Sequence, residues 1–565
     1  MASRRAQSSC RNEGHAVTDM DRREVMVGVS SLISAALAAG SPLARAAASD
    51  PVVETTLGKV RGQRAVHGGY KFFCVPYGAS TGGAARFMPP KPAPAWAAIR
   101  EVPPQAIIAP QVDPTATPAV PGSRRAAISG IGSEAGSLES EDCLNLTLYT
   151  PGVDSARRPV MVWMHGGGYF AGSGSNPMYE GSALAVHGDV VVVNINHRLN
   201  VLGYAHLPGG GEEFASSGNV GIMDLELALR WVRDNIERFG GDAKRVLIFG
   251  QSGGGGKVAV LSSMPTARGL FNRMAMQSGA MRRLRSAEDG MIVGERLLKQ
   301  AGLKPNQVRE LQQLPLQQLM AANFALGKLP AQPGVPSGFA PVFDNRIVTR
   351  HPFDPVANPL NADVPLIVGC TRTENTAFMM GDVEAFRLDA AALKTRTRSL
   401  LGEKTGDAAV ALYSALKPLA SPSELYFEML SDRTRRQSIL IAELKAAQNE
   451  AKAFLYELMW NTPVMDGMLQ SPHSLCVPMV FDIATGDRWK PYTGAGPDAD
   501  RVAKAMSGAW AEFARTGDPG TTALRWPDYS LRRRDVMLFD EDSTHATDAF
   551  RETRLFWDDV ANGSV

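Results

Sequence analysis

The sequence predicts an α/β fold, a large, mostly parallel central sheet flanked by helices and carrying helical insertions. Three short apolar runs, at 159–164, 190–196 and 364–369, have the near-continuous character of parallel strands covered on both faces. Between such runs lie stretches with apolar residues at helical spacing, as at Ile222, Leu225, Leu229, Val232 and Ile236. The alternation continues over a chain of 565 residues and favours one large unit over several small ones.

Taken in order, residues 1–48 read as an address and 49–565 as the folded domain. Arg22-Arg23 precedes a run of small and apolar residues at 25–40, and A-R-A-A-A-S at 44–49 offers small-residue cleavage sites. This has the form of a bacterial export signal of twin-arginine type, with Met20 as the expected start, and it predicts a periplasmic or secreted protein. Residues 52–64 read as strand and turn, and the proline-rich 89–121 as surface loop. The strand at 159–164 ends in His165-Gly166-Gly167-Gly168, 190–196 is another strand, and 221–239 is an amphipathic helix. A strand at 246–249 then runs into the glycine-rich 250–256 and a helix from 257 to 261. Residues 274–277 give a strand, 287–323 an irregular helical stretch, and 364–369, 453–460 and 536–539 the remaining strands.

Composition excludes several function classes. Lys plus Arg number 59 and Asp plus Glu 57, and the leader removes six Arg and four acids, so the rest of the chain is balanced. That gives no electrostatic case for nucleic acid or an anionic membrane. Local clusters such as Arg282, Arg283 and Arg285, or 532–534, read as solvated faces. No later run is long and apolar enough for stable membrane insertion. Cys74, Cys143, Cys370 and Cys476 are too dispersed for a disulfide scaffold and are expected to be structural thiols. The scattered histidines form no H-E-x-x-H, so no metal is predicted. The Gly130-Ile131-Gly132 run lacks a preceding strand and is rejected as a nucleotide site. No cofactor is expected.

The chemistry centres on Gly250-Gln251-Ser252-Gly253-Gly254. In G-x-S-x-G a strand turns sharply into a helix and lifts the serine hydroxyl above the strand ends. The H-G-G-G run after an earlier strand supplies backbone N–H groups for an oxyanion, and the N–H of Gly253 completes the set. The two motifs together point to acyl transfer through Ser252. In this architecture the order is serine, acid, histidine. Downstream of Ser252 lie only His351, His473 and His545. His473, in a proline-fixed loop, is favoured as base, because His545 sits in a charged surface stretch and His351 precedes Glu374. For the acid, Glu374 just past the 364–369 strand competes with Asp363 and Asp382.

The ordered motifs resemble the type B carboxylesterases, the α/β-hydrolase group that includes cholinesterases. The resemblance spans 52–565. It rests on P-Y-G-A-S-T-G-G-A-A-R-F at 76–87, S-E-D-C-L-N-L-T-L-Y-T-P at 140–151, W-M-H-G-G-G-Y at 163–169 and S-G-N-V-G-I-M-D at 217–224. It continues in F-G-Q-S-G-G-G at 249–255, Q-S-G at 277–279, G-C-T-R-T-E at 369–374 and S-P-H-S-L-C-V-P-M-V-F-D at 471–482. It implies an α/β-hydrolase fold and a cofactor-free serine carboxylesterase acting on a small-molecule ester. Ser252 would be nucleophile, His473 base, Glu374 its orienter, and Gly167, Gly168 and Gly253 the oxyanion hole. A non-catalytic binding protein of the same fold, or an amide or thioester hydrolase, are the alternative readings.

Three departures matter. Gln251 stands where the family commonly has Glu, which removes a charge near the alcohol side and argues against cationic choline esters. Ala109 stands where Cys143 would find its disulfide partner, so that bridge is expected to be absent. Cys370 and Cys476 lie in sequence beside Glu374 and His473; if both thiols flank the site, a bulky thiol reagent should slow the enzyme. Ser278 matches a family serine near the triad, with a supporting hydrogen bond or plain structure as its two readings.

Overall fold

The computed structural model describes residues 50–113 and 136–563. The expected leader at 1–48 and the Gly130–Gly132 run lie outside the described residues.

Eleven strands make the central sheet. In chain order they are β1 (Gln63–Arg64), β2 (Tyr70–Pro76), β3 (Asn145–Thr150), β4 (Arg158–Met164), β5 (Val191–Ile195), β6 (Gly241–Gln251), β7 (Arg273–Gln277), β8 (Leu366–Thr371), β9 (Ala453–Leu458), β10 (Asp535–Phe539) and β11 (Thr544–Thr547). Across the sheet the order is β1-β2-β3-β5-β4-β6-β7-β8-β9-β10-β11. From β5 to β10 every neighbouring pair is parallel. The pairs at the two edges are antiparallel.

The apolar runs are continuous because both sheet faces are covered. In β4, Val160, Val162 and Met164 pack in one core with Ile222, Leu225 and Leu229 of helix α1 (Val220–Asn235). Met161 and Trp163, on alternate positions, point to the other face. There they join Val502, Met506 and Trp510 of helix α4 (Pro497–Thr516). Strand order reverses around β4, with β5 on one side and β6 on the other, and such a switch point opens a crevice at the strand C-termini. Helix α2 (Gly253–Leu261) starts in that crevice.

The insertions depart from the expected outline. The irregular 287–323 stretch resolves into Ala287–Gln300, Val308–Gln313 and Leu316–Gly327, with Gly302 and Pro315 at the breaks. A second helical group, Ala390–Leu401, Glu403–Leu416 and α3 (Pro422–Ala446), was not anticipated. Helix α3 hides because it buries charge: Glu428, Asp432 and Arg435 are all buried, which breaks any apolar stripe. Arg435 forks onto Glu457 of β9 and also pairs with Asp432.

One buried ion pair ties the sheet to α1. Arg198, just past β5, donates from Nε and Nη2 to Asp224 at 2.9 and 2.6 Å, and its N–H reaches the same carboxylate at 3.0 Å. Its Nη1 donates to Met88 O at 2.8 Å. Both side chains are 1% exposed or less. Removing one partner would leave the other charge in a dry interior, at a cost of about 3–5 kcal/mol. Arg198→Met is therefore expected to lower the denaturant midpoint sharply, and Arg198→Met/Asp224→Leu to recover part of the loss, as read by equilibrium unfolding.

Candidate active site

β6 ends at Gln251, and α2 begins at Gly253. Between them Ser252 takes φ 56° and ψ −125°. A side-chain-bearing residue held there costs on the order of 1–3 kcal/mol, a strain maintained only by its surroundings. Those surroundings are backbone. Ser252 N–H donates to Gln277 O at the end of β7 at 2.8 Å, and Gly256 N–H donates to Ser252 O at 3.2 Å. The turn also packs onto the H-G-G-G loop so closely that a Cβ on Gly253 would strike the Gly168 carbonyl and lie 2.5 Å from its Cα. Gly167 and Gly168 themselves have φ 82° and 61°. The structure thus brings Gly167, Gly168 and Gly253 together beside Ser252.

Glu374 and His473, 99 residues apart in the chain, meet at the ends of β8 and β9. His473 Nδ1 contacts Glu374 Oε2 directly, while Oε1 accepts from Thr371 N–H at 2.8 Å. Two further links fix the loops: Thr373 N–H donates to Ser471 O at 3.0 Å, and Ser471 N–H to Thr373 Oγ1 at 2.9 Å. Tyr492 Oη donates to His473 O. Burial alone would raise the Glu374 carboxyl. The charge and hydrogen bond of His473, with Ser278 and Thr371 N–H, more than offset it and hold Glu374 ionised, below its ordinary range. Ser278, with φ 50°, places a buried hydroxyl near that carboxyl without a well-formed hydrogen bond of its own. The rival acids lie elsewhere. Asp363 pairs with Arg268, and Asp382 caps a short helix and pairs with Arg396. Of the other histidines, His351 stacks on Phe343, and His545 lies on the edge strand β11.

Gln251 has a place at this site that the sequence did not reveal. Its Nε2 lies 3.0 Å from His473 Nε2. Among the described residues, that ring nitrogen bonds to Gln251 and not to Ser252. With Nδ1 turned to Glu374, the imidazole offers Nε2 as acceptor, and the amide donates to it. Gln251 thus sits on the imidazole nitrogen that faces away from Glu374. Phe378, 66% exposed, covers the ring from outside with centroids 4.7 Å apart.

Beneath the H-G-G-G loop lies a buried cation. Lys257 of α2 donates from Nζ to His165 O at 2.8 Å and stands 5.8 Å from the Tyr169 ring centre. No carboxylate pairs with it among the described residues, and burial pushes it down to about 7. His165 and His197 stack there at 5.0 Å. Both are pushed well down, first by burial and then by Lys257, and remain neutral.

The thiols do flank the site, but they are sealed. Cys370 and Cys476 are at most 1% exposed. Burial pushes Cys476 up to about 12 and Cys370 well above its ordinary value. A bulky reagent cannot reach them in the folded enzyme, which corrects the expectation of ready inhibition. Among the described residues there is no disulfide, no group of three metal-ligating side chains, and no helix long and apolar enough to cross a membrane.

Comparison with known proteins places this geometry. A family model described as the carboxylesterase family matches residues 49–557. The chain is 30% identical over 503 residues to the para-nitrobenzyl esterase of Bacillus subtilis (strain 168), covering 89% of this chain and 97% of that one. It is 32% identical over 512 residues to the phenmedipham hydrolase of Pseudarthrobacter oxydans, covering 89% and 97%. The crystal structure of the Geobacillus stearothermophilus carboxylesterase EST55 at pH 6.2 superposes with a TM-score of 0.74 at 34% identity, over 90% of this chain and 99% of that one.

Two outcomes are expected. A carboxylate at position 251 would favour the protonated imidazole. In Gln251→Glu the acid limb of the kcat/KM profile should therefore move to higher pH; a residue that only packs would leave it in place. For Lys257, the ordinary value of 10.5 falls to about 7 on folding, so between those values the unfolded chain binds more protons than the native one. Stability from this group therefore rises with pH across that window, and its full burial cost is present below about 7. Lys257→Met should raise the melting temperature most near the acid end and progressively less toward about pH 10.

Proposed function

The chain belongs to the carboxylesterase family and is a carboxylic ester hydrolase of α/β-hydrolase fold, and from that premise we propose that Ser252, His473 and Glu374 carry the reaction. The observation that carries this reading is the direct His473–Glu374 contact at the same strand ends as the Ser252 turn.

The roles follow from the groups present. Ser252 Oγ attacks the ester carbonyl carbon while His473 Nε2 takes its proton. For that step the imidazole exchanges its Gln251 partner for Ser252, a shift of hydrogen bonds common between resting and substrate-bound sites. The oxyanion forms against the N–H groups of Gly167, Gly168 and Gly253, each such donor being worth about 3–4 kcal/mol in the transition state. His473 then gives the proton to the leaving alcohol, and water repeats the sequence on the acyl-enzyme. Glu374 stays ionised, fixing the tautomer that turns Nε2 outward and stabilising the imidazolium.

We also propose that residues 1–48 are an export leader and that 49–565 is the mature domain, working in the periplasm or outside the cell. Arg22-Arg23, the small apolar run and the A-R-A-A-A-S segment support it.

The decisive measurement is hydrolysis of p-nitrophenyl esters of increasing acyl length. Ser252→Ala should lose about 10⁴–10⁶ in kcat, and Glu374→Gln about 10³–10⁴, with folding unchanged by circular dichroism. Full activity in folded Ser252→Ala would refute the assignment. N-terminal mapping of protein from cell fractions should find a mature chain starting near residue 49 outside the cytoplasm; an intact Met1 or Met20 start there would refute export cleavage.

A further inference from the structure

The cleft above Ser252 is unusual in charge. It holds about 520 Å³ and is lined by Tyr169, Met281, Arg282, Arg283 and Gln437 along with the small residues of the turn. Among the described residues, two arginines line it and no carboxylate does. Arg282 and Gln437 also line a neighbouring cleft of about 640 Å³, where Arg433 and Arg436 join them. The two clefts therefore adjoin at Arg282 and Gln437, with Ser252 in one and Arg433 in the other.

The charges of these two clefts are incompletely answered. Arg282 Nη2 and Arg283 Nε both reach Asp354, one oxygen each, at 3.1 Å. One carboxylate thus serves two guanidinium groups. Arg436 is answered by Glu443 and Asp558. Arg433 is exposed and has no carboxylate partner among the described residues. The sequence reads Arg282 and Arg283 as a solvated face; the fold turns that face into the wall of the reaction cleft. Arginines gathered beside apolar groups such as Met281, Leu400 and Trp557, with Asp558 the carboxylate on the second cleft's lining, attract an anion. Planar guanidinium groups match a carboxylate in particular.

We propose that the ester hydrolysed at Ser252 carries a carboxylate, held by Arg282, Arg283 and Arg433. This rests on Ser252 being the nucleophile. The carboxylate belongs to either the acyl or the alcohol part of the ester, and both present the same group to the arginines.

The test compares matched pairs on the full-length enzyme. Mono-4-nitrophenyl glutarate against 4-nitrophenyl valerate reads an acyl-borne carboxylate, and 4-acetoxybenzoate against its methyl ester reads an alcohol-borne one. In at least one pair the carboxylate ester should have the higher kcat/KM by about tenfold, and the ratio should shrink as salt is added. Arg433→Glu and Arg283→Ala should each lower that ratio, with unchanged melting temperature as the check on folding. Neutral esters preferred in both pairs, with Ser252→Ala inactive, would overturn the carboxylate assignment and leave the nucleophile standing. Activity surviving in Ser252→Ala, or no cleavage of any ester, would overturn both.

Discussion

Ser252 holds a backbone conformation that an L-residue keeps only when its neighbours leave no alternative, and those neighbours are main chain. Gln277 O accepts its N–H, Gly256 N–H closes the first turn of α2, and Gly168 presses against Gly253. A strand must deliver the residue, a parallel neighbour must offer its last carbonyl, and a glycine loop from a third strand must lie within touching distance. β6, β7 and β4 are adjacent for that reason as much as for their hydrophobic faces. The two cores on either side of the sheet fix strand positions tightly enough that a strained turn at the edge survives.

What could be read from the sequence divides along the same line. The Ser252 turn and the H-G-G-G loop are local, so spacing and glycine content announce them. Glu374 and His473 are joined by tertiary structure alone; chain order and a family resemblance narrowed them, whereas Asp363 and Asp382 could be set aside only once their arginine partners were visible. The parallel strands were legible because burial on both faces makes them uniformly apolar. Helix α3 was not, since its buried side includes charged residues; in the structure a capping box of Ser421 and Glu424 closes its N-terminus. Gln251 differed from the family in sequence, but nothing in the chain said that its amide would meet His473. The arginines of the cleft were likewise visible as residues and silent about where they face.

Charge within the domain is arranged by depth. Arg198 and Asp224 neutralise each other in full burial, and Glu374 is kept ionised by a histidine and hydrogen-bond donors. Two lysines depart from this: Lys257 is a buried amine with a carbonyl and an aromatic face for company, and Lys445 is buried against the Asn361 and Ala362 carbonyls. Lys257 ties α2 to the start of the loop that carries Gly167 and Gly168. The neutral His165–His197 stack fills the remaining space without adding charge.

Phe378 and Arg433 are exposed, whereas the Ser252 turn is held by main-chain contacts and Glu374 is buried. The two groups therefore face different selection. A side chain at Gly253 or Gly254 would collide with main chain and cost the fold itself. A change at a lining position on the helical insertion costs little stability and alters only what is recognised. Such a division lets a lineage drift from one ester to another through single surface substitutions while inheriting its reaction intact. It also means that substrate range can diverge faster than overall sequence identity.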